Sequence, residues 1–211
     1  MKNLFPEHFA KRMLVMLVSV IVMGMNVGFL SLTGFGLEPC SAMNTGVAKM
    51  LGWQFGNYQA VFNTVLLLVV LLIDRSMFGF GTIGNMFLIG YTYDFTKWVL
   101  ASFFGITSLT NLTTRILVLV VALAGFVISA SFYMNSGLGL APYDAMGQII
   151  YNGLSHKGER KISYRAVRMA YDTAVSLFAF LIGGQFGVIT VLMVLTLGPM
   201  IEVVSKRLKF S

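Results

Sequence analysis

The chain alternates long apolar runs with short polar connections. The runs predict six helices of membrane-crossing length, at residues 13–32, 55–73, 79–98, 116–134, 162–182 and 186–204. Each approaches the ~20 residues that an α-helix needs to traverse a hydrocarbon core. Two shorter apolar segments, 39–51 and 142–154, interrupt this series. At on the order of 20 Å as helices they are too short to span, yet apolar enough to enter a membrane. Pro39 and Pro142 suit a first helical turn, where a missing N–H costs nothing. The glycines before them permit a tight reversal of the chain.

The pattern is written twice. "GFGLEPCSAM" (34–43) and "GLGLAPYDAM" (137–146) share Gly, Gly, Leu, Pro, Ala and Met in the same frame, 103 positions apart. Arg12 and Arg115 have the same spacing, each at the start of a crossing. Asn63-Thr64 then answers Asp172-Thr173, and Leu72-Ile73 answers Leu181-Ile182, at a spacing of 109. The six extra residues fit an insertion from His156 to Lys161. Further on, Phe80-Gly81 pairs with Phe186-Gly187, and Gly90 and Asp94 pair with Gly198 and Glu202. The expectation is an all-α, polytopic single domain over 1–211, with repeats at about 12–98 and 115–204. Three crossings per repeat would set the halves in opposite orientations, an architecture common among transporters. If the short segments also cross, each half has four crossings and the repeats are parallel.

Composition agrees with the pattern. Only 11% of the 211 residues are charged, against about 25% in soluble domains, and mean hydropathy is +0.81. The first apolar run is too long for a signal peptide and lacks a small-residue cleavage site, so it is expected to be retained. A single cysteine, Cys40, excludes an intramolecular disulfide framework and a cysteine metal cluster. No phosphate loop, HExxH or GxSxG is present, so neither an enzyme nor a cofactor is expected. The fourteen methionines, scattered through apolar runs, are best understood as core filler.

The net charge of +7 does not indicate nucleic acid. Lys2, Lys11 and Arg12, then Lys157, Arg160 and Lys161, then Lys206, Arg207 and Lys209 all fall on one side of a six-crossing chain. Lys49, Lys97 and Arg115 fall on the other. This bias places both termini in the cytoplasm, with the basic residues against membrane lipids.

Charge at bilayer depth is costly and therefore informative. Arg168 and Asp172 stand four apart on one helix face, close enough to pair. Asn63 holds the repeat position of Asp172. Asp144 follows Pro142, where a carboxylate meets the positive helix end. Tyr143, Gln148 and Asn152 add polarity there; Glu38, Ser41, Asn44 and Thr45 do so in the first half. These residues either form a satisfied ion pair and a helix cap or line a solute site. The candidate binding set is Arg168, Asp172, Asp144, Tyr143, Asn63, Ser41 and Asn44. Asp94 and Glu202 have an interfacial, structural character. Gly24-x-x-x-Gly28 suits close helix packing, and Pro199 suits a kink.

The sequence resembles the YczE/YyaS/YitT-type bacterial membrane proteins, the YczE-like branch in particular. The likeness rests on "GLEPCSAM", "GFGTIGN", "LGLAPYDAM", "VRMAYD", "LIGGQFGVIT" and "LGP". It departs at Pro39-Cys40-Ser41, which lacks the Asp kept in Pro142-Tyr143-Asp144. The resemblance implies a transporter of the bacterial cytoplasmic membrane, and by association a vitamin B6-like or amino-acid-derived solute. The expected function is a secondary transporter or facilitator of a small polar or anionic solute. Arg168 would orient an anionic group, and Asp172 or Asp144 would carry a coupling proton. The alternative is a non-transporting accessory or sensor subunit with a protein partner, docking around 156–161.

Overall fold

The computed structural model describes residues 7–157 and 163–207. Lys2, Arg160, Lys161 and Lys209, and the side chains of His156, Lys157, Glu202, Lys206 and Arg207, lie outside the described residues. The chain is all-helical: α1 (Phe9–Thr33), α2 (Pro39–Leu51), α3 (Phe55–Ile73), α4 (Phe80–Phe104), α5 (Leu112–Asn135), α6 (Pro142–Lys157), α7 (Tyr164–Leu181) and α8 (Val188–Arg207). A 3-10 turn, Arg75–Met77, joins α3 to α4.

Each expected long helix and both short ones have a counterpart here. Among the described residues, however, only α1, α3 and α5 are long and apolar enough to cross a membrane. The other three long helices are diluted by polar groups: Asp94 and Lys97 in α4, Arg165, Arg168 and Asp172 in α7. In α8 the apolar stretch is limited to Val188–Ile201. Beside the apolar core, several polar side chains are buried while many large apolar ones face outward. Thr33, Asn44, Ser131 and Thr190 are fully buried, whereas Leu72 is 84% exposed and Val121 71%. Exposed hydrocarbon on this scale is compatible with a lipid surrounding.

Helices α1 and α5 lie side by side and run antiparallel. The Arg12 guanidinium at the start of α1 donates to the Ser136 carbonyl at the end of α5 (Nη1···O 3.3 Å). Reciprocally, Arg115 at the start of α5 donates to the Thr33 carbonyl at the end of α1 (Nε···O 2.6 Å) and lies over the Phe35 ring. Each arginine thus satisfies a carbonyl that the other half's helix leaves unpaired. Along its other side α1 packs parallel to α4. There a Cβ at Gly24 would come within 2.6 Å of the Ile89 carbonyl oxygen, and one at Gly28 within 3.1 Å of Thr96. Small residues at these two positions let the backbones approach.

Most helix contacts recur on exchange of the halves: α1 meets α4 as α5 meets α8, α3 meets α4 as α7 meets α8, and α2 meets α7 as α6 meets α3. Backbone bonds between the halves repeat in the same way. Leu37 N–H donates to Gln185 O (3.0 Å) as Leu140 N–H donates to Met77 O (3.1 Å). Ile189 N–H donates to Phe35 O (3.0 Å) as Gly81 N–H donates to Leu138 O (2.7 Å). These bonds also correct one sequence alignment. Gly187, whose N–H meets Thr190 Oγ1, corresponds to Gly79, whose N–H meets Thr82 Oγ1, and not to Gly81. The stretch "FGFG" (78–81) offers two Phe-Gly pairs, and composition alone does not choose between them.

Gly36 (φ +106°) and Gly139 (φ +111°) turn the chain from each long helix into the following short one. Their backbone conformation is nearly closed to other residues. A Cβ on either would also press against the opposite half, at Thr190 Oγ1 (2.5 Å) and Thr82 Oγ1 (2.7 Å) respectively. Asp94 has a structural role: its carboxylate accepts the Gly56 N–H in the first turn of α3 (2.7 Å).

Candidate functional site

The turns at Gly36 and Gly139 deliver the two short helices, N-terminus first, to a single cavity of about 490 Å³. Its wall includes residues 38–41 of one helix start and 141, 143 and 144 of the other. Met23 and Phe126, near the middles of α1 and α5 and 103 positions apart, also line it, together with Asn63, Asn85 and Asp172.

At the α6 end the wall is a closed polar network. Arg168 Nε donates to Asp172 Oδ2 (2.9 Å), and its Nη2 pairs with Asp144 Oδ1 (2.7 Å). The Tyr143 hydroxyl donates to the other Asp172 oxygen (2.7 Å), and its ring lies 5.2 Å from the guanidinium carbon. Tyr171 packs against Tyr143 with the rings tilted by 33° and centroids 4.8 Å apart. The i,i+4 spacing on α7 makes one contact, and the helix start of α6 supplies the other two from a different element. Asp172 is 5% exposed, so its charge is sustained by these bonds and not by water. Asp144 acts here as an ion-pair partner on a helix N-terminus, where a carboxylate is favoured.

Four sequence candidates therefore meet: Tyr143, Asp144, Arg168 and Asp172. Ser41 and Asn63 line the same cavity from the first half. Asn44 lies elsewhere, fully buried inside α2 with its amide nitrogen 3.6 Å from Cys40 Sγ. Gln148 bonds Asn152 along α6 (3.0 Å), and Thr45 accepts the Gln185 N–H (3.1 Å); both contacts belong to packing.

Two wall residues carry more than the sequence reading gave them. Glu38 was counted only as a polar neighbour. It caps α2, its Oε1 accepting the Ser41 N–H (3.0 Å), and its carboxylate lines the cavity. Gln59 stands outside the candidate set that the sequence predicts. It lines the cavity at 4% exposure, and its Oε1 has no hydrogen-bond partner among the described residues. The signal for Gln59 was available, because the 109-residue spacing that matches Asn63 to Asp172 also matches Gln59 to Arg168. The second-half network Tyr143, Asp144, Arg168, Asp172 thus corresponds to Cys40, Ser41, Gln59, Asn63, in which all four positions are uncharged side chains.

Across the wall, Glu38, Asp144 and Asp172 stand against Arg168 and Arg165, and Arg165 is exposed. Because Arg168 is already held by two carboxylates, an incoming anion would have to displace one of them. Apart from the exposed Arg165, the wall carries more carboxyl groups than cations.

The chain belongs to a family of unknown function (DUF6198), whose profile matches residues 10–206. It is similar to an uncharacterized protein of Haemophilus influenzae, 23% identical over 192 residues, which covers 91% of this chain and 82% of that one. No solved structure matches it.

Proposed function

We propose that this DUF6198 member is a secondary transporter or facilitator of a small polar solute in the bacterial cytoplasmic membrane. On this reading its two halves are inverted repeats, both termini are cytoplasmic, and the chain is related to the YczE-like branch. The observation that carries the proposal is the shared cavity: two repeat-related helix starts and a buried ionic network line one space beside the middles of α1 and α5. Binding between repeats, at broken helices near mid-membrane, is how alternating access is commonly built. The antiparallel course of α1 and α5 supports inversion over the parallel alternative. The halves would rock about the cavity, and Asp144, the more exposed carboxylate of the network, would carry a coupling proton.

The test is solute uptake into proteoliposomes, with and without a pH gradient. Asp172→Asn and Arg168→Ala are expected to lower flux at least 10-fold, the scale of losing a charged buried hydrogen bond. Flux unchanged in both variants would remove the network from the mechanism.

A further inference from the structure

The two halves of the cavity wall hold repeat-related positions with different charges, and the difference points to a ligand. In the second half a guanidinium, that of Arg168, lies between Asp144 and Asp172 and against the Tyr143 ring. In the first half the residue at Arg168's position is Gln59, shorter and neutral, beside Ser41 and Asn63. One acidic group belongs to this half alone: Glu38, whose repeat counterpart is Ala141. Glu38 has no ion-pair partner among the described residues, and the buried Gln59 Oε1 has no hydrogen-bond partner. A carboxylate without a cation and a buried amide acceptor without a donor border the same cavity.

We propose that the first half-site takes the cationic end of a small organic amine or guanidine, which there plays the part that Arg168 plays in the second half. Glu38 is the counter-ion. The Gln59 and Asn63 amides accept the remaining N–H groups, and Phe126 and Tyr133 supply the apolar wall. A metal cation fits less well, since among the described residues no three His, Cys, Asp or Glu side chains converge to hold one. The proposal deepens the transport reading by naming the solute class, and rests on it only in treating the ligand as cargo.

The test uses the purified full-length protein in nanodiscs, with agmatine and putrescine as cationic probes and succinate and phosphate as anionic ones. Calorimetric titration and thermal shift are expected to detect the cations and not the anions. Glu38→Gln, which keeps an acceptor for the Ser41 N–H, is expected to weaken agmatine binding about 10-fold or more. Gln59→Arg should place a guanidinium from within the chain into the first-half wall of the cavity that Glu38 also lines. That variant is expected to melt higher than wild type and to lose agmatine binding, which distinguishes lost binding from lost folding. The proposal is overturned if neither cation binds, if the anions bind more tightly, or if both variants bind agmatine like the wild type. Agmatine binding without flux in proteoliposomes would leave this assignment standing and remove the transport reading. Flux of succinate without agmatine binding would do the reverse.

Discussion

Asp172 and Asp144 accept from the same guanidinium but differ in burial, with side chains 7% and 26% exposed. That difference sets what each contributes. Asp172→Asn leaves Arg168 short of one partner inside the protein and replaces an ionic acceptor for Tyr143 with a neutral one. It is expected to cost on the order of 3 kcal/mol. Asp144→Asn removes a pair that water partly screens, at about 1 kcal/mol. Melting curves of the two variants in one detergent give the comparison; equal losses would contradict this ordering. The Arg168–Asp172 pair was legible in the sequence because four residues is one helical turn. The role of Asp144 was only half legible. Its helix-start position was clear, but its partner lies on another helix, and no local pattern reports that. The placement of Asn44 inside α2 was illegible for the same reason, since polarity on a short helix does not say which face the helix turns to a cavity.

At the scale of elements, helix positions followed from apolar run length, and α2 and α3 match their sequence limits because Pro39, Gly52 and Asp74 bound them sharply. Length did not decide which helices could cross a membrane, because α4 and α7 spend their polar residues on contacts inside the bundle. The turns into α2 and α6 depend on Gly36 and Gly139. Gly139→Ala would combine a left-handed φ with contact against the Gly79 backbone, at about 2–3 kcal/mol. For a chain of this length that is a fall of about 5–10 °C in melting temperature. Gly36→Ala should match it, since its surroundings are the repeat equivalents. By contrast, Gly105→Ala tests the left-handed conformation alone (φ +64°), because a Cβ there meets nothing within 4 Å, and its loss should be smaller. A Gly105→Ala variant as damaged as Gly139→Ala would mean that the contact between halves contributes little.

For the whole molecule, orientation is the property that sequence leaves open: eight crossings would make Lys97 and Arg115 cytoplasmic and Arg75 external, a charge bias as acceptable as that of six. The arginine bonds at the ends of α1 and α5 favour inversion, and labelling can test it. In a Cys40→Ser background, Ser76→Cys and Ser108→Cys place thiols at exposed sites on the two sides of α4. With inverted repeats, an impermeant maleimide should reach position 76 from the cytoplasm only and position 108 from the opposite side only. The parallel arrangement requires the reverse. The reciprocal arginine bonds have another consequence, for how the chain can be divided. The helix-end carbonyls of each half at Thr33 and Ser136 are satisfied by the other half, and so are the backbone groups of both glycine turns. Neither half carries its own closure, so a cut in the 105–111 loop should yield two fragments that fail alone and assemble when coexpressed. The protein is, in that sense, a heterodimer that happens to be one polypeptide.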